Sequence, residues 1–350
     1  MGVDRSHFSA KLRPAVRYKQ LHHVEVVPDM AEIMRRTGVG FMPVLVTPEG
    51  EMLQDTTDII DALEHRIPEP ALLPLSTDRV LCRLFELYAD EFFPIVSMRT
   101  RWAYPENEAE ARRAFAAFSG SIDLGNRGAD QMGSYLPMLG ITPETIPAID
   151  AHADDMLAAL CDHFAAHRFL LGDRMSLADC ALMGPLYAHL YLDRFTRKKL
   201  YDEAIEVCMW IERCNRPDPE AMGEWFAGGY PDTLERILEL VGGDAVPMLL
   251  DLEQAFEAWA ERNAEVGLEP PRGVGPYSSG LRGVKVEASV RSYVMWKLQR
   301  VREAFQALLE PEQQALRRAL PVPPGGSFDR LLSKPTEFRL EKRDSKLFFV

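Results

Sequence analysis

Two short groups of polar residues in this sequence have the types and spacing needed to bind or activate a small molecule. Asp55, Thr56 and Thr57 stand between a short apolar stretch and a helical pattern, so they are predicted to cap a helix. A helix N-terminus offers free N–H groups and partial positive charge to a carboxylate, and a threonine hydroxyl adds a directed donor. Ser6 and Ser9 are predicted to begin another helix. Most serines at such positions are helix caps, and that is one interpretation of this pair.

The elements that position Asp55 and Thr56 can be predicted from the residues around them. Pro43 precedes the apolar run 44–46, which places it in a turn or at a strand start, where its peptide bond can be cis. Residues 48–50 form a turn, and residues 51–54 are predicted to return as the second strand of a hairpin. The helix that follows carries one apolar stripe, formed by Ile59, Ile60, Leu63 and Ile67.

The order of proline, strand, turn, strand, cap and helix resembles the second half of the thioredoxin-fold domain of soluble glutathione S-transferases. In that family the proline, here Pro43, is cis, and the preceding residue, here Met42, pairs its backbone with the cysteinyl part of glutathione. The resemblance implies that Asp55 and Thr56 hold the γ-glutamyl end. The same four residues could instead serve only as a structural turn and cap.

The resemblance also gives Ser6 and Ser9 a chemical role. Their S-x-x-S pattern falls where serine- and cysteine-type members of the family carry the residue that touches the glutathione sulfur. Ser6 holds the first position, so it is the implied catalytic residue, and Ser9 is an implied second contact with glutathione. A free thiol has a pKa of about 8.5. A hydrogen bond to the charged form, worth about 1.5 to 3 kcal/mol, would lower that pKa by about one to two units.

The start of the chain departs from the family pattern. Such domains begin with a strand of about five residues, whereas only residues 1–5 precede Ser6. Three explanations stay open: the printed start lies inside the natural coding sequence, the strand is degenerate, or the apolar tail 346–350 fills its position. Pro14 predicts a kink in the first helix or a later start of that helix. Residues 22–27 alternate like a strand.

A second, helical region follows the proline-rich linker 68–74. Helices are predicted from Asp78 to about Cys214, the last of them over residues 200–214. Residues 176–179 have the sequence of a capping box. Together with the preceding FLLGDRM they resemble the core motif of the transferase helical domain. In the family the first helix of this domain lines the pocket for the electrophile, and the implied pocket residues are Tyr88, Phe92, Arg99 and Trp102. Their alternative role is interhelical core with solvated arginines.

The expected fold therefore has three parts. An α/β thioredoxin-like N-terminal domain covers residues 1–75, and an all-α helical-bundle domain covers residues 76–228, which together form the glutathione transferase architecture. Residues 229–350 form a mixed α/β C-terminal extension that the family template does not include. Within it the sequence predicts helices over 231–265, a Gly/Pro-rich loop over 267–283, then a strand that becomes a helix, and a terminal hairpin.

Composition limits the possible partners. The chain has 53 acidic and 40 basic residues, for a net charge of −13, so nucleic acid and anionic membranes are poor partners. Its five scattered cysteines predict reduced thiols in a cytoplasmic protein. His163 and His167 are four residues apart on a helix, but no third ligand has a recognisable spacing, so no metal site is expected.

Two functions are consistent with these patterns. The first is a glutathione transferase in which the glutathione thiolate attacks a small electrophile in the cleft between the domains. The second is a non-catalytic, transferase-like binding or scaffold module that acts through the extension. The resemblance alone implies a homodimer.

Overall fold

The N-terminal region is an α/β unit in the computed structural model, which describes residues 1–227, 229–321 and 326–350. The predicted hairpin and its capped helix are both present, and Asp55 is the N-cap. The helices and strands of this region are α1 (His7–Tyr18), α2 (Met30–Thr37), β1 (Val44–Val46), β2 (Met52–Gln54) and α3 (Thr56–Arg66).

The first residues of the chain bridge the two segments that flank the expected first strand. The Met1 ammonium donates to Val44 O at 2.7 Å, Val44 N–H donates to Met1 O at 3.0 Å, and Gly2 N–H donates to Val26 O at 3.1 Å. The prediction of a strand over residues 22–27 is wrong. This segment is largely exposed and receives only that one bond from the first three residues, too few for a ladder.

The first helix begins at His7 with Ser6 as its N-cap, so the predicted later start is wrong. It continues through Pro14, which is buried with most of the helix. Proline removes a single backbone bond inside a helix. Packing of an almost fully buried helix compensates for that loss.

The second region is a bundle of eight α-helices in which two helices continue into π-helical turns, Tyr88–Phe92 and Leu186–Tyr191. The predicted capping box is confirmed: Asp179 accepts hydrogen bonds from Ser176 N–H and Oγ–H. The single helix predicted over 200–214 is instead two helices, because Ala204 leaves the helical conformation. The helices are α4 (Thr77–Leu87), α5 (Pro94–Trp102), α6 (Pro105–Ser119), α7 (Ile122–Gly133), α8 (Ile146–Ala166), α9 (Leu177–Pro185), α10 (Arg194–Glu203) and α11 (Ile205–Asn215).

The extension mixes helices with two antiparallel hairpins. The predicted Gly/Pro-rich loop over 267–283 contains a strand instead, because its residues pair with the strand that follows them. The terminal hairpin is confirmed, and the tail pairs with its own neighbour, so its placement in the first-strand position is wrong. The elements are α12 (Asp232–Leu240), α13 (Val246–Asn263), β3 (Gly273–Leu281), β4 (Val284–Arg291), α14 (Ser292–Gln306), α15 (Glu310–Ala319), α16 (Ser327–Ser333), β5 (Leu340–Arg343) and β6 (Lys346–Phe349).

The three regions share one hydrophobic core, which runs from Leu12 in α1 to Phe349 in β6. α14 packs along α4, so the extension lies against the other two regions. The domain boundaries at residues 75 and 228 stay predictions, and Gly228 itself lies outside the described residues.

Within the described part of the chain, no helix has both the length and the apolar character needed to span a bilayer.

Candidate functional site

The loop before β1 presents an unpaired stretch of backbone. The Met42–Pro43 peptide bond is cis, which confirms the expectation from the resemblance. The Gln54 side-chain amide holds this loop by donating to Val39 O at 3.0 Å and to Phe41 O at 2.8 Å. The backbone N–H and C=O of Met42 make no hydrogen bond to any residue that the structure describes. They remain available to a ligand.

The N-terminus of α3 lies beside this loop. Asp55 caps the helix, with Oδ1 accepting from Thr57 N–H at 2.9 Å. Its other oxygen accepts from the hydroxyl of Tyr293 and lies 2.7 Å from the ammonium of Lys342, both in the extension. Burial opposes ionisation of Asp55, but Lys342 and Lys297 outweigh it and hold the pKa of this carboxyl below its usual range.

A cavity of about 440 Å³ opens between the Met42 backbone and the α3 N-terminus on one side and the extension on the other. This volume lies within the usual range for small-molecule sites, about 300 to 1,000 Å³. All three regions of the chain line it. The N-terminal wall includes Phe8, Phe41, Met42, Pro43, Gln54, Asp55 and Thr56, the helical wall Asp90, Glu91 and Pro94, and the extension wall Arg272, Arg291, Ser292, Tyr293, Lys297 and Lys346.

Family models match both of the first two regions. Residues 1–71 match the glutathione S-transferase N-terminal domain, and residues 145–218 match the glutathione S-transferase C-terminal domain. The matched residues form the two domains of a glutathione S-transferase, in the order that the family has them. This confirms the expected architecture, while the serine or cysteine subtype stays a prediction. No curated protein sequence matches the chain.

Solved structures of glutathione S-transferases are similar to part of this chain. A glutathione S-transferase from Rhodospirillum rubrum is 19% identical over 61% of this chain and 88% of its own, with a TM-score of 0.42. The beta-etherase LigF from Sphingobium is 18% identical over 62% and 94%, with a TM-score of 0.44. A Methylobacterium radiotolerans transferase, in complex with glutathione sulfonate, is 18% identical over 65% and 96%, with a TM-score of 0.37.

Four of the predicted site residues meet at the cavity: Met42, Pro43, Asp55 and Thr56. The two predicted serines do not line it. Ser6 caps α1 and accepts from Ser9 N–H at 3.3 Å. Ser9 is buried, and its hydroxyl accepts from Val3 N–H at 3.3 Å. Phe8, between them in sequence, is the α1 residue that reaches the cavity.

The four residues predicted to line an electrophile pocket lie inside the helical bundle and away from this cavity. Tyr88 Oη is 2.7 Å from His152 Nε2, and Phe92 packs against both rings. Arg99 donates to Asp150 at 3.0 Å, and Trp102 packs on a phenylalanine of α6. Helix burial accounts for these positions, because α5 is enclosed along nearly its whole length.

A buried cluster of charges underlies the cavity. Lys11 Nζ lies 2.7 Å from Glu86 and 2.6 Å from Asp90, and Lys297 Nζ lies 2.8 Å from Asp90 and 3.3 Å from Glu86. All four side chains are at least 96% buried. Burial opposes ionisation of Glu86 and Asp90, but the two ammonium groups outweigh it and hold both pKa values well below the usual range. Lys297 also donates to the Thr57 hydroxyl.

Sequence analysis missed this cluster and the whole extension wall. One signal was present: Tyr293, Lys297 and Arg300 recur at intervals of four and three along a predicted core helix, which places polar groups on one face of it. No pattern in the sequence matches that face to α3 and α4. Among the described residues, no three His, Cys, Asp or Glu side chains are grouped so that they could hold a metal ion.

Proposed function

We propose that this chain is a glutathione-dependent transferase that joins the thiol of glutathione to a small electrophile inside the 440 Å³ cavity. One observation carries the proposal. The Met42 backbone, which has no hydrogen bond to any described residue, and the capped α3 N-terminus with Thr56 line the same cavity. These are the two fixtures that the family assigns to the cysteinyl and γ-glutamyl parts of the tripeptide. The reacting atom is the sulfur of glutathione. The chain binds glutathione, orients it and favours ionisation of its thiol.

Each fixture has a defined task in this proposal. The Met42 backbone pairs with the cysteinyl unit, and the Thr56 hydroxyl with the free N–H groups of α3 holds the γ-glutamyl carboxylate. The N-terminus of α1, whose Phe8 reaches the cavity, favours the thiolate through its positive potential, whereas Ser6 does not line the cavity and has no role in this proposal. The electrophile occupies the part of the cavity next to Glu91 and the extension.

One observation favours the second candidate, a non-catalytic binding module. The Asp55 carboxylate, which the family uses at the γ-glutamyl end, is already engaged by Tyr293 and Lys342 of the extension. An extension that neutralises this carboxylate can weaken glutathione binding. In that case the cavity serves a different ligand or serves only to seat the extension.

Calorimetric titration with glutathione separates the two candidates. We expect the wild-type chain to bind in the micromolar to millimolar range, roughly −8 to −4 kcal/mol. Thr56→Val removes the donor to the carboxylate and should weaken binding by about tenfold, in line with the loss of a hydrogen bond to a charged group. Thr47→Val is the matched control. Thr47 lies in the neighbouring hairpin, and its buried hydroxyl has no hydrogen-bond partner among the described residues.

Absence of binding to the wild-type chain would reject the transferase proposal and favour the binding module. Equal binding by the Thr56 variant and the wild type would remove Thr56 from the site.

A homodimer and a cytoplasmic location stay predictions. The position of α14 bears on the first of these, since it covers α4 within the same chain and α4 is buried along nearly its whole length. A second copy would have to use another face.

A further inference from the structure

Glu91 is a buried carboxyl that the glutathione site does not use. It lies in the π-helical turn Tyr88–Phe92 that follows α4, and turns of this kind are frequent at functional sites. Its side chain is only 9% exposed, and it lines the cavity. Its neighbour Asp90 points into the buried cluster and bonds to Lys11 and Lys297. Both acids line the cavity, but only Asp90 is paired within the charge cluster.

A structural role for this carboxyl would require a partner, and the described residues supply none at bonding distance. Arg291 is the nearest cation, but its Nη2 lies 3.8 Å from Glu91 Oε2. The guanidinium donates instead to the backbone carbonyl of Glu91, at 2.6 Å. Arg291 is thus anchored without the carboxylate, which lines the cavity with no hydrogen bond to any described side chain.

The charges around Glu91 leave it able to gain and lose a proton near neutral pH. Burial raises the pKa of Glu91 to about 7; Arg291 at the end of β4 and the more distant Lys297 and Lys11 act against this rise, and Asp90 adds to it. A group with a pKa near the working pH is the most effective proton donor and acceptor. The acid is also inside the cavity, where it can reach a bound electrophile.

We propose that Glu91 is a catalytic proton donor in this cavity, a role that can be measured when the electrophile is an alkene conjugated to a carbonyl group. This inference rests on the proposed glutathione-dependent function and adds to it a catalytic residue. The N-terminal wall binds the thiol, and the helical wall supplies the proton.

The proposed step balances as follows. The thiol loses its proton to solvent, and the thiolate electron pair forms a carbon–sulfur bond at the β-carbon. The alkene π pair moves toward the carbonyl, which gives an enolate, and the carboxyl of Glu91 donates its proton to the α-carbon. The Glu91 carboxylate then regains a proton from solvent, so the net reaction adds the thiol across the double bond. Displacement of chloride from an aryl chloride needs no such proton, because chloride leaves with its electron pair.

Two electrophiles with glutathione therefore test the role of Glu91. Benzylideneacetone reports addition and chlorodinitrobenzene reports displacement, each measured with wild type and Glu91→Gln. We expect the addition rate to fall by about 100-fold or more in the variant, the range for loss of general acid catalysis. The ratio of addition to displacement should fall by at least about thirtyfold. In the wild type, kcat for addition should decline above about pH 7, where the acid form is lost, and this limb should be absent from the variant.

Two further variants keep the test decisive. Glu257→Gln is the matched control, since Glu257 is a half-buried acid of α13 whose pKa burial also raises, and it lies outside the cavity lining. It should leave both rates unchanged. If Glu91→Gln fails to fold, Glu91→Asp replaces it, and this variant should keep the decline above pH 7 at a lower rate.

Failure of the inference and failure of the proposed function give different results. Glutathione binding by calorimetry together with equal losses in both reactions, or no loss in addition, would overturn the role of Glu91 and leave the glutathione site intact. No addition by a wild-type chain that binds glutathione would overturn it as well. Absence of glutathione binding would reject the proposed function, and the inference with it.

Discussion

The two long walls of the cavity bind by different means. The N-terminal wall offers backbone groups, the Met42 peptide and the α3 N-terminus, which are held by local turns and one glutamine. The extension wall offers side chains: Tyr293 donates to Asp55, and Lys297 pairs with Asp90. Lys342, outside the cavity lining, also pairs with Asp55. The first wall lies in the part of the chain that matches the N-terminal family model, and the second lies beyond both matched parts. In the proposed function, binding of the thiol and choice of its reaction partner would then depend on separate parts of the sequence.

The largest expected difference between the two walls is in their contribution to the stability of the fold. Lys297→Met removes the extension's ammonium from between Glu86 and Asp90 and leaves the two buried carboxylates with Lys11 and, on Glu86 alone, Arg83. Removing one partner of a buried ion pair costs about 3 to 5 kcal/mol, and we expect a loss of that size in the free energy of unfolding measured with urea.

Lys334→Met is the matched control within the extension. Lys334 pairs with Glu253 and Glu257 but is 27% exposed, so its loss should cost about 1 kcal/mol or less. Equal losses in the two variants would show that the extension is not held to the cavity through Lys297.

A smaller effect should appear in the pH dependence of stability. The folded pKa of Glu91, about 7, lies above its unfolded value of 4.5, so the folded chain is favoured by the protonated form. That contribution is fully present below pH 4.5 and is lost as pH rises through 7. At about 1.4 kcal/mol per pKa unit the wild type should lose about 3 kcal/mol from this group.

Glu91→Gln lacks this titration, so unfolding free energies measured from pH 4.5 to pH 8 should diverge from those of the wild type as pH rises. Parallel curves for the two proteins would mean that Glu91 titrates normally. The helical wall would then contribute shape to the cavity and no proton.

The smallest effect concerns competition between the two walls for Asp55. Lys342→Ala removes the ammonium 2.7 Å from Asp55 and leaves that carboxylate oxygen with Tyr293 alone, so it can also accept from the γ-glutamyl ammonium of the ligand. We expect glutathione to bind about fivefold more tightly, or about 1 kcal/mol, by calorimetry. Arg343→Ala, which breaks an exposed pair with Glu341 on the same hairpin, should change nothing. Weaker binding by the Lys342 variant would place Lys342 in the ligand site itself.

The wall that the sequence predicted well is the one built from local structure. The order of proline, hairpin and cap depends on neighbouring residues, so Pro43, the β1–β2 hairpin and the Asp55 cap could all be placed from their spacing. The same holds for the capping box at Ser176, where three residues decide the geometry. Neighbouring residues alone determine such features, so the sequence pattern and the local energetics favour the same structure.

The rest depended on partners far apart in the chain. Lys297 meets Asp90 across 207 residues and Tyr293 meets Asp55 across 238, and no periodicity in either segment specifies the other. The predicted electrophile pocket fails to meet the cavity for the same reason. Aromatic residues at the end of α4 fit a core and a ligand pocket equally well, and only the position of the extension decides between them.

Residues that line the cavity are translated at widely separated times. Its N-terminal wall is complete at Thr56, whereas Leu347 at its rim is translated 291 residues later. At about 5 to 20 residues per second, the ribosome needs roughly 15 to 60 seconds to cover that interval. For most of this interval neither Tyr293 nor Lys342, the two extension partners of Asp55, has been made. The order of synthesis therefore separates the residues of the N-terminal wall from the contacts that join them to the extension.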